Sequence, residues 1–443
     1  MKAVSPALWP SPRGIWVLLV LCVLLAAASI VPVALDVVAV CAAIVAAFAA
    51  ADLRAGPGSA DLDLARDVAA HVTVGKPARL EYTLTNRAGT RIAARVHEAT
   101  PASVTFADDA TAVALAPRAR ATFVREFVAH ERGLVRFAAA YLRIENGIGL
   151  LTRRFALAAP LDVRVYPDFS AVEGYGTLAR RSTLLESGMR RLRLRGAGSE
   201  FESLREYATG DAFRAIDWKA SARRGRLMVA QYDVERSQQI LLALDAGRLM
   251  TPRIGSQRKF DYALTAALSA ARVAQIAGDN VGLVAFAARP LCSVVPRRGV
   301  AHHAALVRAA YDLQPRLEEP DYERMTADLA RRYAKRSLVV VFTDLFDPAS
   351  ASAVLSSLAV LVPRHLVVCV LMNDAAIARA LAADPRTPRD AYRASVAMQL
   401  EDERRGAVAT LRARGIIVVD APAARLTVAL IDTYLDVKAR ALL

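Results

Sequence analysis

An almost uninterrupted apolar stretch at residues 14–51 is the feature that most constrains this chain, and only Pro32 and Asp36 break it. One continuous helix of this length would overshoot a hydrocarbon core, which needs about 20 residues. Pro32 ends the first helix because proline lacks an amide donor and clashes with the preceding turn. We therefore expect a transmembrane helical hairpin with spans at about 14–31 and 33–51, and with Asp36 in the opposite headgroup region.

The charges around this stretch predict its orientation. Lys2 and Arg13 precede the first span, Arg54 follows the second, and the short connection carries no Lys or Arg. Positive charges favour the cytoplasmic side, so residues 1–55 should anchor the chain in the cytoplasmic (inner) membrane with both termini and the soluble domains cytoplasmic. The alternative is a cleaved signal peptide, whose apolar region of about 7–15 residues is much shorter than this stretch.

The composition indicates folded domains with acidic partners. The chain has 443 residues, of which 55% are hydrophobic, enough for two or three domains with sizeable cores. Its 58 basic and 43 acidic residues leave a net charge of +15, which favours anionic lipid, nucleic acid or an acidic protein face. The basic residues are scattered and only 6% of residues are aromatic, which argues against a nucleic-acid surface. The four cysteines fit neither a disulfide framework nor a zinc site, so we expect free thiols in a reducing compartment.

Residues 60–165, which follow a Gly-Pro-Gly linker at 56–58, are predicted to form an antiparallel β-sandwich. Segments such as 79–85 and 121–127 alternate apolar and polar residues with period two, as half-buried strands do. Turn residues separate these segments and helical periodicity is absent, which favours an immunoglobulin-like sandwich.

Residues 166–238 are interpreted as a basic connector followed by a charged and aromatic motif. The arginines at 180–181 and 190–195 have two open interpretations, a contact with anionic lipid or a solvated linker. The Gly-Ala-Gly that follows does not indicate nucleotide binding. No apolar strand precedes it, and Glu200 would place a carboxylate where a phosphate would lie.

The motif at 200–225 is predicted to be a strand, a turn and a short helix. An extended stretch should precede a turn at 209–211. A helix should then run over about 212–223, with Asp211 as its cap and Gly225 at its end.

Side chains of this motif suggest either a structural lock or a partner-docking surface. Arg214, Asp217 and Trp218 can share one helix face as an ion pair and a cation–π stack. Ser221 has no neighbouring His that could activate it, so we predict no catalytic residue. The residues assigned to the lock or the docking surface are Glu200, Arg205, Tyr207, Asp211, Arg214, Asp217, Trp218 and Arg223.

Residues 239–443 alternate apolar strands with helices, which predicts an α/β fold. Its sheet should be doubly wound and mostly parallel, with helices on both faces. The strands are predicted at 239–245, 281–286, 338–343, 365–371 and 416–419, and a short hairpin at about 291–295.

Two family resemblances add to these expectations. The motif with Gly210-Asp211 and Trp218 resembles the core motif of a bacterial membrane-associated family catalogued as domain of unknown function 58. The strand that ends in Asp245, together with the alternation after it, looks like a von Willebrand factor A domain over about 239–443. Members of the first family are often encoded beside a MoxR-type AAA+ ATPase. This resemblance therefore implies a partner role in chaperone-like assembly at the membrane.

The von Willebrand A resemblance also implies a Mg²⁺ site at the carboxyl ends of the strands. In such domains an Asp-x-Ser-x-Ser loop, a Thr and a later Asp supply the oxygen ligands. Asp245 and Asp344 match the two acids, but Gly247 and Leu249 stand where the two hydroxyls should be. We expect this metal site to be degenerate, with Arg248 as an alternative neutraliser of the two carboxylates.

The expected function is that of a membrane-anchored, cytosol-facing interaction protein without a cofactor. Two alternatives stay open. One is a metal-dependent hydrolase that uses Asp245 and Asp344. The other is a basic nucleic-acid-binding module, whose binding would weaken steeply as salt rises.

Overall fold

The chain folds into two compact units, Met1–Tyr166 and Pro167–Leu443, which together make a mixed α/β protein with several sheets. The computed structural model describes residues 7–28, 34–69, 71–145, 149–169, 200–208, 211, 213, 216–233, 238–345, 348–373, 375–440 and 442–443. Several sequence predictions lie outside the described residues, namely those on Pro32, the arginines at 180–181 and 190–195, Gly210 and Arg214.

The described part of the first unit contains two apolar helices and two β-sheets. Its elements are β1 (Ala7–Pro10), α1 (Pro12–Ala28), α2 (Ala34–Ala55), β2 (Leu62–Val68), β3 (Val72–Thr73), β4 (Pro77–Asn86), β5 (Ile92–Glu98), β6 (Val104–Phe106), β7 (Thr111–Leu115), β8 (Arg120–Ala129), β9 (Gly133–Glu145) and β10 (Leu151–Tyr166). One sheet has the order β1-β10-β9-β5-β7 with β3 paired parallel to β10, and the other has the order β2-β4-β8-β6.

The two sheets share one hydrophobic core because their strands alternate buried and exposed residues. In β4, Leu80, Tyr82 and Leu84 are buried while the residues between them are not. Phe127 from β8 and Phe137 from β9 meet across the core edge to face, with ring centroids 5.7 Å apart. The alternation therefore predicted these strands correctly.

The two helices before the sheets are apolar and exposed along most of their length. Among the described residues, one segment is long and apolar enough to cross a membrane, Asp36–Arg54 in α2. Residues 12–26 of α1 form a shorter apolar helix. The exposed apolar surface of these helices, which includes Leu19 and Ile44, is larger than water-soluble proteins usually present. This exposure is consistent with association of the first unit with a membrane.

Strand β1 is an element that sequence analysis did not predict, because residues 7–10 were assigned to the membrane anchor. It pairs antiparallel with the start of β10, from Ala7 opposite Arg154 to Pro10 opposite Leu151. The chain therefore joins the sheet immediately before it enters α1.

Residues 149–153, which comprise the two residues before β10 and its first three positions, bind the ends of both apolar helices, and we refer to this segment as the clamp turn. Before α1, Ser11 Oγ donates to the Gly149 carbonyl at 2.5 Å, and the Ser11 amide donates to the Leu150 carbonyl at 2.9 Å. Near the end of α2, Asp52 is fully buried. Its Oδ2 accepts from the amides of Leu150 and Leu151 at 3.1 and 2.9 Å.

Two further contacts complete the clamp. The buried Arg153 donates from Nη1 to the carbonyls of Gly56 at 3.0 Å and Pro57 at 2.6 Å. Gly14 lies so close to the clamp turn that a Cβ at this position would be 2.2 Å from the Leu150 oxygen. Both helix ends are thus held by the same turn of the sheet.

The second unit contains a two-stranded hairpin with a short helix, followed by a six-stranded sheet with helices. Its described elements are β11 (Glu200–Glu206), α3 (Trp218–Arg224), β12 (Met228–Asp233), β13 (Gln239–Asp245), β14 (Arg253–Ile254), β15 (Gln257–Arg258), α4 (Lys259–Ile276), β16 (Asn280–Phe286), β17 (Pro290–Arg297), α5 (Val300–Ala310), α6 (Tyr322–Arg332), β18 (Leu338–Phe342), α7 (Pro348–Ala359), β19 (Leu366–Asn373), α8 (Ala375–Ala382), α9 (Pro388–Ala413), β20 (Ile417–Pro422) and α10 (Leu426–Ala439).

The six-stranded sheet has the order β17-β16-β13-β18-β19-β20. All neighbours are parallel except β16 and β17, which form an antiparallel edge. In the central strand β13, Leu242 and Leu244 pack into a core with α4, α5 and α10. Leu241 and Ala243 point the other way, into a core with α6, α7 and α9. Because both faces are covered, β13 is apolar from Ile240 to Leu244, and its carboxyl end places Asp245 at the edge of the sheet.

Candidate functional site

The motif identified in the sequence forms an antiparallel hairpin with an insertion between its strands. Strand β11 pairs with β12 from Glu200 opposite Asp233 to Glu206 opposite Met228, with a bulge after Phe201. Glu200 therefore contributes backbone to the ladder. The Tyr207 amide extends the pairing by donating to the Leu227 carbonyl at 2.9 Å.

Arg205 and Asp211 form a bidentate ion pair beside this hairpin. Nη1 and Nη2 of Arg205 lie 2.6 and 2.5 Å from the two carboxylate oxygens of Asp211. The hydrogen bond to Asp211 raises the pKa of Arg205. Asp211 also accepts from the Ala208 amide at 2.9 Å, so it fixes the turn after β11. Its predicted role as a helix cap is wrong.

The helix of the motif is shorter than predicted because Ile216 and Asp217, directly before it, are extended. Ile216 makes a bridge to Val229, and Asp217 has an extended backbone with φ −85° and ψ 97°. Asp217 is the N-cap, since its carboxylate accepts from the Ala220 amide at 2.9 Å, and α3 begins at Trp218. The predicted end is confirmed, because Gly225 has the left-handed φ of 67° that favours glycine after a helix.

Ser221 ties the short helix to strand β12. Its hydroxyl donates to the Asp217 carbonyl at 2.7 Å and accepts from the Met228 amide at 2.8 Å. The residue is buried, with 8% of its surface exposed. Both bonds go to backbone groups, as expected for a structural hydroxyl and not for an activated nucleophile.

The outer surface of this element carries large exposed apolar side chains. Phe213 and Trp218 are 69% and 58% exposed and meet edge to face with ring centroids 5.6 Å apart. Leu227 is 45% exposed. Exposed basic side chains occur on the same helix, Lys219, Arg223 and Arg224. We call these six residues the aromatic–basic patch. The predicted partner of Trp218 in a cation–π stack, Arg214, lies outside the described residues.

A second candidate region lies at the carboxyl ends of the central strands. Asp245 is completely buried, and its Oδ2 accepts from the hydroxyls of Tyr322 at 2.6 Å and Thr343 at 2.8 Å. Its Oδ1 accepts from the Gly247 amide at 2.7 Å. Burial raises the pKa of Asp245, although these hydrogen bonds oppose the change.

Asp344, the acid at the end of the next strand, is held by cationic side chains. Its Oδ2 lies 2.5 Å from Nζ of Lys259, and its Oδ1 lies 3.2 Å from Nη1 of Arg404. The Leu345 amide also donates to Oδ1 at 2.9 Å. Arg404 uses Nη2 to bind Asp420 at 2.6 Å. The side chains of Asp344, Lys259 and Arg404 are all less than 10% exposed, so this is a buried ionic network.

These two carboxylates do not fit a Mg²⁺ site. Protein donors engage both oxygens of Asp245 and both oxygens of Asp344, and Lys259 supplies the positive charge that a metal ion would bring. A Cβ at Gly247 would lie 2.7 Å from Pro320 Cδ and 2.9 Å from the Glu318 oxygen, so the loop has no room for the missing hydroxyl. No group of three or more His, Cys, Asp or Glu side chains that could hold a metal occurs in the described part of the chain.

The predicted role of Arg248 is also wrong. Its guanidinium pairs with the carboxylate of Glu319 at the surface. Lys259 and Arg404 neutralise Asp344 instead, whereas neutral hydroxyl and amide groups donate to Asp245.

Sequence analysis missed five residues of this network, and the reasons differ. Thr343 directly precedes Asp344, a residue that the sequence did mark, so its position beside the site could have been recognised. Lys259 stands between Arg258 and Phe260-Asp261, so the local sequence offered an ordinary acid nearby and did not indicate a buried partner 85 positions away. The remaining three are remote in sequence and carried no local signal, Tyr322, Arg404 and Asp420.

Comparison with known families identifies the motif region. Residues 203–387 match the model of the family described as "Protein of unknown function DUF58". The match includes the aromatic–basic patch, Asp245 and Asp344, and it supports the resemblance noted from the sequence.

A curated relative shares a short region with the chain. The "Uncharacterized protein YeaD" of Bacillus subtilis (strain 168) is 46% identical over 43 residues, which are 10% of this chain and 11% of that protein. The chain therefore spans about a tenth of the curated relative that it matches.

The structural likenesses are weak. An alpha-2-macroglobulin of Salmonella matches at 17% identity and a TM-score of 0.19, covering 24% of this chain and 7% of that chain. A CARDB domain from Pyrococcus furiosus matches at 18% identity and a TM-score of 0.17, covering 24% and 94%. A PapD-like domain of a human protein matches at 12% identity and a TM-score of 0.19, covering 26% and 90%.

Proposed function

We propose that this chain is a membrane-anchored, cytosol-facing interaction protein that docks a partner through the aromatic–basic patch. The exposed edge-to-face pair of Phe213 and Trp218 is the observation that carries the proposal. Large aromatic side chains dominate the binding energy of many protein interfaces because they bury much area at low entropic cost. Two of them in contact on the surface, next to exposed Leu227, form an apolar centre for such an interface.

The scaffold beneath the patch favours docking over mobility. Trp218 begins a helix whose cap, Asp217, and whose central hydroxyl, Ser221, are bonded to each other and to β12. The ion pair of Arg205 and Asp211 fixes the preceding turn. A surface whose backbone is already ordered loses less entropy on binding.

Charge indicates the kind of partner. Lys219, Arg223 and Arg224 are exposed on the same short helix as Trp218, so an acidic protein face fits this surface. The resemblance to the domain of unknown function 58, now supported by the match over residues 203–387, suggests a MoxR-type AAA+ ATPase as this partner in chaperone-like assembly.

The location follows from the apolar helices. The segment Asp36–Arg54 is long enough to span a bilayer, and Arg13 and Arg54 lie near the ends of α1 and α2 that the clamp turn binds. We infer that α1 and α2 form a transmembrane hairpin and that the sheets lie on the cytoplasmic side. We also infer that the parallel sheet of the second unit is a doubly wound, von Willebrand A-like domain.

A metal-dependent hydrolase has little support from the candidate residues. Asp245 and Asp344 would have to release their protein donors before they could bind an ion or act as a base. Their arrangement instead resembles a filled structural network at the end of the sheet.

A crosslinking pull-down from detergent extracts that contain the ATPase tests the proposal. We expect Trp218→Ala and Phe213→Ala to reduce recovery of the ATPase severalfold relative to wild type. Tyr392→Ala is the matched control, because Tyr392 is a 72% exposed aromatic residue on α9, outside the patch. Thermal denaturation first establishes that every variant is folded, and nuclease treatment of the extract removes any bridging nucleic acid. Equal recovery with all variants would show that the patch does not dock the ATPase and would leave the motif with a structural role.

A further inference from the structure

We propose that strand β1 is a membrane-interface element, with Leu8 and Trp9 seated in the headgroup region of the bilayer. This inference rests on the proposed membrane anchoring and extends it from the helices to the edge of the sheet. The partner is the lipid surface itself.

Exposure of β1 is the first observation. All four of its residues are exposed, and Leu8 and Trp9 present 47% and 55% of their surfaces. Among the described strands, β1 is also the edge of its sheet, with β10 as its neighbour on one side. An exposed apolar edge strand in water is an aggregation hazard, which protein folds normally cover or charge. A lipid surface provides such a cover.

Continuity with α1 is the second observation. Pro10 ends β1 and Pro12 begins the apolar helix, so the strand lies at the point where the chain would enter the bilayer. Trp16 is 69% exposed. It lies about 6 Å along the helix axis from Pro12, at about 1.5 Å rise per residue. The two tryptophans would therefore occupy different depths, with Trp9 the shallower.

The chemistry of Trp9 suits the interface. The guanidinium carbon of Arg154 lies over its ring, 5.4 Å from the centroid. Tryptophan is enriched at membrane interfaces because its ring is apolar and its indole N–H is polar. Arg154 is exposed and adds a cation that anionic or zwitterionic phosphates attract.

The clamp turn fixes this geometry. Ser11 binds it directly after β1, and Asp52 binds it at the end of α2. Thr152 Oγ1 also donates to the Trp9 carbonyl at 3.0 Å. The strand therefore cannot move away from the helix ends without breaking buried hydrogen bonds, so an anchor in the bilayer carries β1 to its surface.

Fluorescence quenching tests the proposal, because the chain has only three tryptophans, Trp9, Trp16 and Trp218. Full-length variants that retain Trp9 alone or Trp16 alone, with phenylalanine at the other two positions, are reconstituted into phosphatidylcholine vesicles. The vesicles contain lipids brominated either near the carbonyl groups or near the chain ends. The matched control has phenylalanine at all three tryptophan positions and a single new tryptophan from Arg164→Trp. Arg164 is exposed and lies on the same strand as Arg154, roughly 33 Å from it at about 3.3 Å per residue.

The expected result is strong quenching of Trp9 by the shallow bromines, weaker quenching by the deep bromines, and no quenching of the control at residue 164. Trp16 should be quenched in both kinds of vesicle. If Trp16 is quenched but Trp9 behaves like the control, the anchor stands and the interface role of β1 is overturned. If neither tryptophan is quenched although the protein is folded by circular dichroism, the membrane anchoring itself fails.

Discussion

The ammonium nitrogen of Lys259 lies 2.5 Å from Oδ2 of Asp344, and this contact joins the first residue of α4 to the end of the sheet. The two residues are 85 positions apart in the sequence. Asp344 is one of two acids that the sequence marked as metal ligands. In the structure a protein cation binds it, so the charge of Asp344 is balanced from within the chain.

Removal of this cation should destabilise the second unit strongly. Lys259→Met leaves the buried carboxylate of Asp344 with Arg404 as its remaining cationic partner, and breaking a buried pair costs about 3–5 kcal/mol. Urea titration of the detergent-solubilised chain, followed by circular dichroism, measures the loss. Arg331→Met is the control. Arg331 pairs with Asp328 while 74% exposed, and its loss should cost less than about 1 kcal/mol. Equal losses for the two variants would contradict the network.

Restoring the missing hydroxyl should not create a metal site. Gly247→Ser places a Cβ 2.7 Å from Pro320 Cδ, so we expect a loss of about 1–3 kcal/mol from overpacking. Neither wild type nor the variant should gain thermal stability from millimolar Mg²⁺. Gly406→Ser is the control, because a Cβ at Gly406 would meet no neighbouring atom within 4 Å and serine should be tolerated there. A Mg²⁺-dependent rise in the melting temperature of Gly247→Ser would show that the network can open to a metal.

The raised pKa of Asp245 predicts a pH dependence of stability with a definite sign. At a pH between its unfolded-state pKa and its higher folded-state pKa, such an acid binds more protons in the folded protein than in the unfolded one. Stability therefore falls as pH rises through that window. Asp245→Asn removes this titration, so the melting temperature of the variant minus that of wild type should increase with pH from the usual aspartate range upward.

Asp390 provides a control of opposite sign. The hydrogen bond from Thr387 lowers the pKa of Asp390. This residue therefore stabilises the fold at a pH above its unfolded-state pKa, and the stabilisation is lost as the pH falls through its folded-state pKa. In Asp390→Asn the difference from wild type should therefore become more negative as pH rises. A difference for Asp245→Asn that does not change with pH would refute the assignment of the shift to Asp245.

Two variants of the motif should separate its structural part from its docking part. Ser221→Ala leaves the buried Met228 amide without its acceptor, which costs about 1–3 kcal/mol. Trp218→Ala removes a side chain that is 58% exposed, so the melting temperature should change little. Scanning calorimetry of both variants, beside the pull-down, compares the two effects. A larger loss of stability for Trp218→Ala than for Ser221→Ala would identify the tryptophan as part of the lock.

The parallel sheet could be predicted almost completely from local pattern. The strand predicted at 239–245 is β13, and the strand predicted at 281–286 begins one residue earlier as β16. Strands buried on both faces are apolar throughout, so their limits are visible without knowledge of the fold. The strands of the first unit could also be predicted, because a strand that is buried on one face alternates apolar and polar residues.

Features that depend on remote contacts could not be predicted. The sequence around Asp211 contains an ordinary cap signal, but its carboxylate binds Arg205, and Asp217 caps the helix instead. Strand β1 exists because β10 offers it an edge, a relationship between residues more than 140 positions apart. Likewise Arg404 becomes part of the site only when α9 packs on the sheet. Such choices are made by tertiary contacts that no window of the sequence contains.

The clamp turn also sets an order of events during synthesis. Ser11 and Asp52 lie 138 and 98 residues before their partners in the turn, so the ribosome releases both apolar helices long before the groups that hold them. Under the proposed membrane anchoring, the helices enter the bilayer while the ends that the clamp turn binds are still unattached. Closure of the clamp, with Arg153 among the last residues to arrive, then joins the two apolar helices to the sheets of the first unit.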